Sequence, residues 1–160
     1  MIGFALSDQR ARRTAVIRRV VHSSRLQNFL TTALTDVLVA MEVQGTVPAG
    51  EPFAYYHGAV NGTLDVETGF PIVGKFVADG DVIPGELPAG RVMTGVHTGP
   101  YETLGVTYSE MISWASSDGL EPTGEMWEVH LTDPEREPNP DRWRTAVFLR
   151  VEQRTNRMAE

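Results

Sequence analysis

Between Leu26 and Met41, apolar residues recur at intervals of three and four: Leu26, Phe29, Leu30, Ala33, Leu34, Val37, Leu38 and Met41. That spacing lays one stripe along a helix and predicts a long amphipathic element. Leu104, Tyr108, Met111, Ile112 and Ala115 repeat the rhythm and predict a second helix. Pro100 suits the first turn of that helix, where a missing N–H costs little, and Ser23 or Ser24 can cap the first. A strand-like segment precedes each helix, Thr14–His22 and Gly90–His97. Two more follow each, joined through HGAVNGT (57–63) and the Pro-rich DPEREPNPD (133–141).

The two halves also match as text. GTVPAGEPFAYYH (45–57) aligns with GLEPTGEMWEVHL (119–131) at a constant offset, Gly119 standing 74 residues after Gly45. The chain is therefore expected to be one α+β domain spanning residues 1–160. It reads as a tandem β-α-β-β pseudo-repeat, with halves of about 14–73 and 90–151 and a linker, ADGDVIPGELPAG (78–90), between them. Two such units pair into one antiparallel sheet with both helices on one face, and the expected ligand groove lies on the other.

Strand side chains alternate, which assigns faces by parity. Phe53, Tyr55, Trp127, Val129 and Leu131 form the set expected under the helices. Ala54, Tyr56, Glu128 and His130 then share the opposite face. In the last strand Thr145, Val147, Leu149 and Val151 are expected toward the helices, leaving Ala146 and Phe148 for the groove, with Glu67 and Gly69 as first-half counterparts. The expected groove thus gathers Glu128, Glu67, Tyr56, Phe148 and His130. A solvated sheet face accounts for a lone Glu equally well, but it accounts poorly for Tyr56 and Phe148 beside it.

Composition narrows the chemistry. A chain of 160 residues can bury a core without staples, and it has no Cys, so disulfides, thiolate metal sites and Cys nucleophiles are excluded. A reducing, cytoplasmic setting is expected, since the first residues carry too short an apolar run for a signal peptide or membrane span. The net charge of −7 argues against a nucleic-acid partner. Arg10, Arg12, Arg13, Arg18 and Arg19 form the one basic cluster and read as a solvated edge. No segment reads as a recognition helix, so a stand-alone domain is expected. His22, His57, His97 and His130 have no zinc-type spacing, and no phosphate loop or nucleophile elbow occurs. No metal and no cofactor are expected.

GPYETLGVTYSEMISWASSDGLEPTGEMWEVHLTDPEREPNPDRWRTAVFLRV resembles the signature half of the GyrI-like small-molecule-binding family, and PFAYYHG and LDVETGFPI resemble its first half. That family includes the effector-binding domains of AraC-type and MerR-type multidrug-sensing regulators. The pattern is Gly-Pro-Tyr before a helix, Trp-Glu-x-Tyr, Asp-Pro with a Pro-rich turn, then Trp-x-Thr. The resemblance implies the same SHS2-like tandem fold and places Glu128 at the bottom of an aromatic pocket that meets lipophilic cations. This chain departs from the pattern at His130, where Tyr is common, and at Ala146, where some members carry a second acid.

Three functions are consistent with this. A buried carboxylate is costly unless paired, and a cationic guest supplies the partner. Tyr56, Phe148, Tyr101 and Tyr108, with Trp143 at the mouth, would add cation–π attraction; plain core packing is the competing account of Tyr108. Alternatively, the resemblance extends to hydrolases that open strained cyclopropanes. There Glu128 would be the general base, with Tyr56 assisting the developing oxyanion. A third class is an acidic inhibitor that docks on another macromolecule.

Overall fold

The computed structural model describes residues 4–154. Nine strands and two α-helices alternate along them. β1 (Ala5–Gln9) and β2 (Arg12–His22) precede α1 (Leu26–Gln44), and β3 (Val47–Pro48), β4 (Phe53–Val60), β5 (Thr63–Val73) and β6 (Ile83–Leu87) follow it. Then come β7 (Gly90–Thr98), α2 (Leu104–Ser117), β8 (Leu120–His130) and β9 (Arg144–Gln153). The predicted helices and the paired strands of each half are present. The β4–β5 connection is tighter than expected, a two-residue turn in which Asn61 and Gly62 both take positive φ (51° and 81°), as hairpins with right-handed twist favour.

The sheet runs β1-β7-β9-β8-β4-β5-β2-β6, antiparallel throughout, with β3 added to β5. The halves meet where β4 pairs with β8, and there Ala54 lies opposite Glu128. These two positions are equivalent in the repeat, so the pseudo-twofold axis passes between them.

β6 sits at one margin of the sheet and β7 is second from the other, yet only Pro88 and Ala89 separate them. So short a connection requires the sheet to curl. Its concave face closes on a core of its own: Leu87 and Val92 pack with Val16, Phe53, Tyr55 and Trp127. Tyr55, Trp127 and Phe148 stack there in a row, with ring planes within 5° and centroids 5.9 and 5.5 Å apart. Both helices lie on the convex face, as expected. α1 covers Ala15, Ile17, Ala54 and Val66, and α2 covers Met93, Val147, Leu149 and Val151.

Several expectations need correction, and one strand was not foreseen. The residues assigned beneath the helices (Phe53, Tyr55, Trp127, Val129) line the concave face instead, while Leu131 is half exposed at the end of its strand. Residues 78–90 are not a plain linker, because Ile83–Leu87 pairs with β2. The start of the chain holds a strand, β1, whose Leu6 and neighbouring Phe4 pack under α2. The serines do not cap α1: the His22 ring accepts the Ser24 N–H before a single 3₁₀ turn. Of the predicted stripe, Leu38 stands out of the core, as does Ile112 in the second helix.

Candidate functional site

Glu128 lies near the C-terminal end of β8, flanked by Ala54 on β4 and Val147 on β9. Ala54 has only a methyl group, so the carboxylate side chain finds room beside it. Alternation turns Glu128 to the convex side, together with Tyr56, Met126 and His130. The N-terminal ends of α1 and α2 do not close over this floor. They leave a cavity of about 480 Å³ walled by Leu30 of α1, by Leu104 and Tyr108 of α2, and by Tyr101 just before it. The groove therefore lies between the helices, not on the face opposite them.

The two core clusters on this face belong to separate helices, and the cavity is the seam between them. Tandem duplication makes such a seam unavoidable, because each helix packs on its own half.

Only 5% of Glu128 is exposed. Burial drives its pKa up to about 7, while the Tyr108 and Tyr56 phenols beside it pull in the opposite direction. Neither phenol satisfies it fully, and the Tyr108 hydroxyl is buried with no well-formed hydrogen bond of its own. Among the described residues no Lys, Arg or His forms an ion pair with Glu128. Burial and the nearby carboxylate raise the pKa of Tyr56 and Tyr108, so both keep their protons. Burial alone lowers that of His130, which keeps the ring neutral.

A second cavity, of about 590 Å³, opens beside the first and shares Gln27, Leu30, Tyr101 and His130 with it. The Tyr101 hydroxyl lies 3.2 Å from His130 Nδ1. Trp143 does not line either cavity; it stacks on Tyr101 at 4.9 Å and donates its indole N–H to the Glu137 carbonyl.

Of the predicted site residues, Glu128, Tyr56, His130, Tyr101 and Tyr108 come together, and Trp143 stands behind Tyr101. Phe148 and Glu67 do not join them. Phe148 pairs with Trp127, one position off Glu128, and so faces the concave side. Glu67 lies opposite Tyr55 on that same side, 3.3 Å from His57 Nε2. Parity had been carried across β9 one residue out of register.

Sequence reasoning missed Gln27, Leu30 and Met126. The available signal was the repeat itself, whose axis at Ala54 and Glu128 brings the first turns of both helices over the carboxylate. Among the described residues no three His, Asp or Glu side chains gather as metal ligands. His97 is structural: Nδ1 lies 2.7 Å from the Thr107 hydroxyl and Nε2 3.1 Å from the Pro100 carbonyl. No helix among these residues is long and apolar enough to cross a membrane.

The fold is shared with solved structures. The C-terminal domain of EcmrR is 21% identical, with a TM-score of 0.75 over 96% of this chain and 99% of that one. In its DNA complex the EcmrR chain is 20% identical with a TM-score of 0.79, and this chain covers 58% of it against 95% of its own length. A hydrolase from Listeria innocua is 13% identical (TM-score 0.64; 93% and 91% of the two chains covered). SAV2435, solved bound to tetraphenylphosphonium, is 9% identical (TM-score 0.62; 94% of each chain covered). A search of curated proteins finds no match. Residues 9–152 match the GyrI-like small molecule binding domain, and with its duplicated halves and interhelical cavity this chain belongs to that family.

Proposed function

We propose that the domain binds amphipathic, cationic small molecules in the interhelical cavity, with Glu128 as their counter-ion. One observation carries this reading: a carboxylate 95% buried, at the floor of a cavity, with no cationic partner among the described residues. Leaving such a charge unpaired costs several kcal/mol, which a bound cation offsets. Tyr56, Tyr101 and Tyr108 present aromatic surface around it, adding about 0.5–2 kcal/mol per well-placed face with little demand on ligand shape. The likeness to a structure holding tetraphenylphosphonium supports the same class of guest.

Calorimetric titration with tetraphenylphosphonium tests it. Glu128→Gln should weaken binding at least about thirtyfold, as expected when one partner of a buried charge pair is removed. Equal affinity in the variant would sink the proposal.

A second reading rests on the pKa of about 7, which suits a general base at neutral pH. In hydrolysis of a cyclopropane conjugated to a carbonyl, Glu128 would take a proton from water as its oxygen attacks a ring carbon. The breaking C–C bond would send its electrons to the carbonyl oxygen, stabilised by the Tyr56 phenol. The enolate would then take the proton from Glu128 at carbon, which completes the addition of one water and restores the carboxylate. Mass spectrometry separates the two: a hydrolase adds one water to the substrate and loses turnover in Glu128→Gln, whereas a binder returns its ligand unchanged.

A further inference from the structure

The cation reading accounts for Glu128 and leaves another buried polar group unused. His130 Nε2 is fully buried and has no hydrogen-bond partner among the described residues. The residue belongs to the wall common to both cavities. Its other nitrogen faces the Tyr101 hydroxyl, whose ring packs at 5.1 Å from the imidazole and is held from behind by Trp143.

We propose that the two cavities form one continuous site with His130 at its waist, and that His130 selects lipophilic cations bearing a hydrogen-bond acceptor on an arm that leads from Glu128 into the outer cavity. The inference rests on the cation reading and adds the ligand's second feature.

The proton arrangement follows from the neighbours. The Tyr101 phenol keeps its proton, since burial and the Glu128 charge raise its pKa. It has no other acceptor within hydrogen-bond reach among the described residues, so it donates to Nδ1. A neutral imidazole that accepts at Nδ1 carries its hydrogen on Nε2. Nε2 is then a donor without an acceptor, which costs about 1–3 kcal/mol in a buried site. A carbonyl or ether oxygen of the ligand removes that cost. An ammonium or other donor at the same place does not.

The outer cavity accommodates the remainder of such an arm. Its floor is Ala54 and Thr68, its walls include Leu34 of α1, and Glu51, Asp133 and Glu135 stand at its rim. No Lys or Arg lines it; the nearest ion pair is an exposed one, Arg136 to Asp133 at 3.8 Å. An anionic arm is therefore disfavoured, and a neutral acceptor is the fitting chemistry.

The test uses two triphenylphosphonium cations, one with a ketone on a short alkyl arm and one with the hydrocarbon arm of the same shape. Calorimetry on wild type should show the ketone binding roughly tenfold more tightly, the worth of one recovered hydrogen bond. In His130→Phe or His130→Leu the ratio of the two affinities should fall to about one. A ratio that survives in the variants overturns the assignment. NMR of the His130 ring in wild type gives a reading that needs no variant: the Nε2 resonance should move with the ketone and not with its isostere. Equal affinities in wild type, with binding still dependent on Glu128, overturn the His130 assignment alone. A hydrocarbon cation that fails to bind, or binds Glu128→Gln equally well, overturns the cation reading beneath it.

Discussion

The two faces of the sheet hold buried or half-buried acids on β5 and β8, and they surround them differently. On the concave face burial raises the pKa of Glu67 while His57, 3.3 Å away, opposes it, and Glu125 accepts the Tyr55 hydroxyl at 3.0 Å and pairs with Arg150. On the convex face Glu128, as deeply buried as Glu67, has two phenols beside it and no cation among the described residues. Each concave acid has a basic side chain beside it, and this one is left without. The concave acids hold the fold; the convex one is held for something else.

The sharpest way to break that contrast is through stability and pH. Because the pKa of Glu128 in the fold, about 7, lies above its ordinary value of 4.5, the folded state keeps the proton across that window. The contribution is fully present below about 4.5 and is lost as pH rises through 7, reaching about 3 kcal/mol. Glu128→Gln should therefore match wild type at pH 4 and below and exceed it by up to about 3 kcal/mol at pH 8 in urea unfolding. A wild type as stable as the variant at pH 8 would mean the carboxylate is already satisfied. Cation binding requires the ionised form, so affinity for tetraphenylphosphonium should fall up to about tenfold for each pH unit below 7.

Glu125→Gln should behave in the opposite sense, costing about 1 kcal/mol at neutral pH because Arg150 and Tyr55 lose their acceptor, discounted for the partial exposure of the pair. Its cation affinity should stay within about twofold of wild type, roughly 0.4 kcal/mol. Glu67→Gln should change stability by no more than about 0.5 kcal/mol, since the amide oxygen still reaches His57 and burial disfavours the charge that is removed. A marked loss of cation binding in either variant would erase the distinction between the faces.

The smallest effect is expected for Tyr108→Phe. Its hydroxyl is buried without a well-formed partner, so removal should change stability by no more than about 0.5 kcal/mol. It should still move the midpoint of the pH-dependent binding upward, because that phenol lowers the pKa of Glu128. Titrating affinity against pH in both proteins checks the direction.

Much of this was legible in the sequence, for identifiable reasons. Three-and-four spacing specified both helices, and the matched segments around Phe53 and Trp127 specified the duplication. Parity along β4 and β8 placed Tyr56, Glu128 and His130 together, because each strand obeys its own alternation. What parity could not say is which face carries the helices. Apolar content is the usual guide, and it misleads in a curled sheet whose concave side buries Tyr55, Trp127 and Phe148 as thoroughly as any helix contact. Pairing of β8 with β9 sets Val147 beside Glu128 and Phe148 beside Trp127, a register that neither strand's own alternation reveals. β6 escaped because Pro84 and Gly85 interrupt its pattern, although pairing with β2 tolerates both.

The pairing of Ala54 with Glu128 has a consequence for how a duplicated fold can acquire a site. A faithful copy would have put the same residue on both sides of the axis. Two carboxylates facing each other there, about 5 Å apart, would repel, and one would take up a proton. Once the copies had diverged, the centre could hold one carboxylate at one fixed position. Tyr56 and His130, the next equivalent pair, diverged too. The frame retains its symmetry while its centre has a handedness, so a guest has one preferred way round and each domain has one seat to offer.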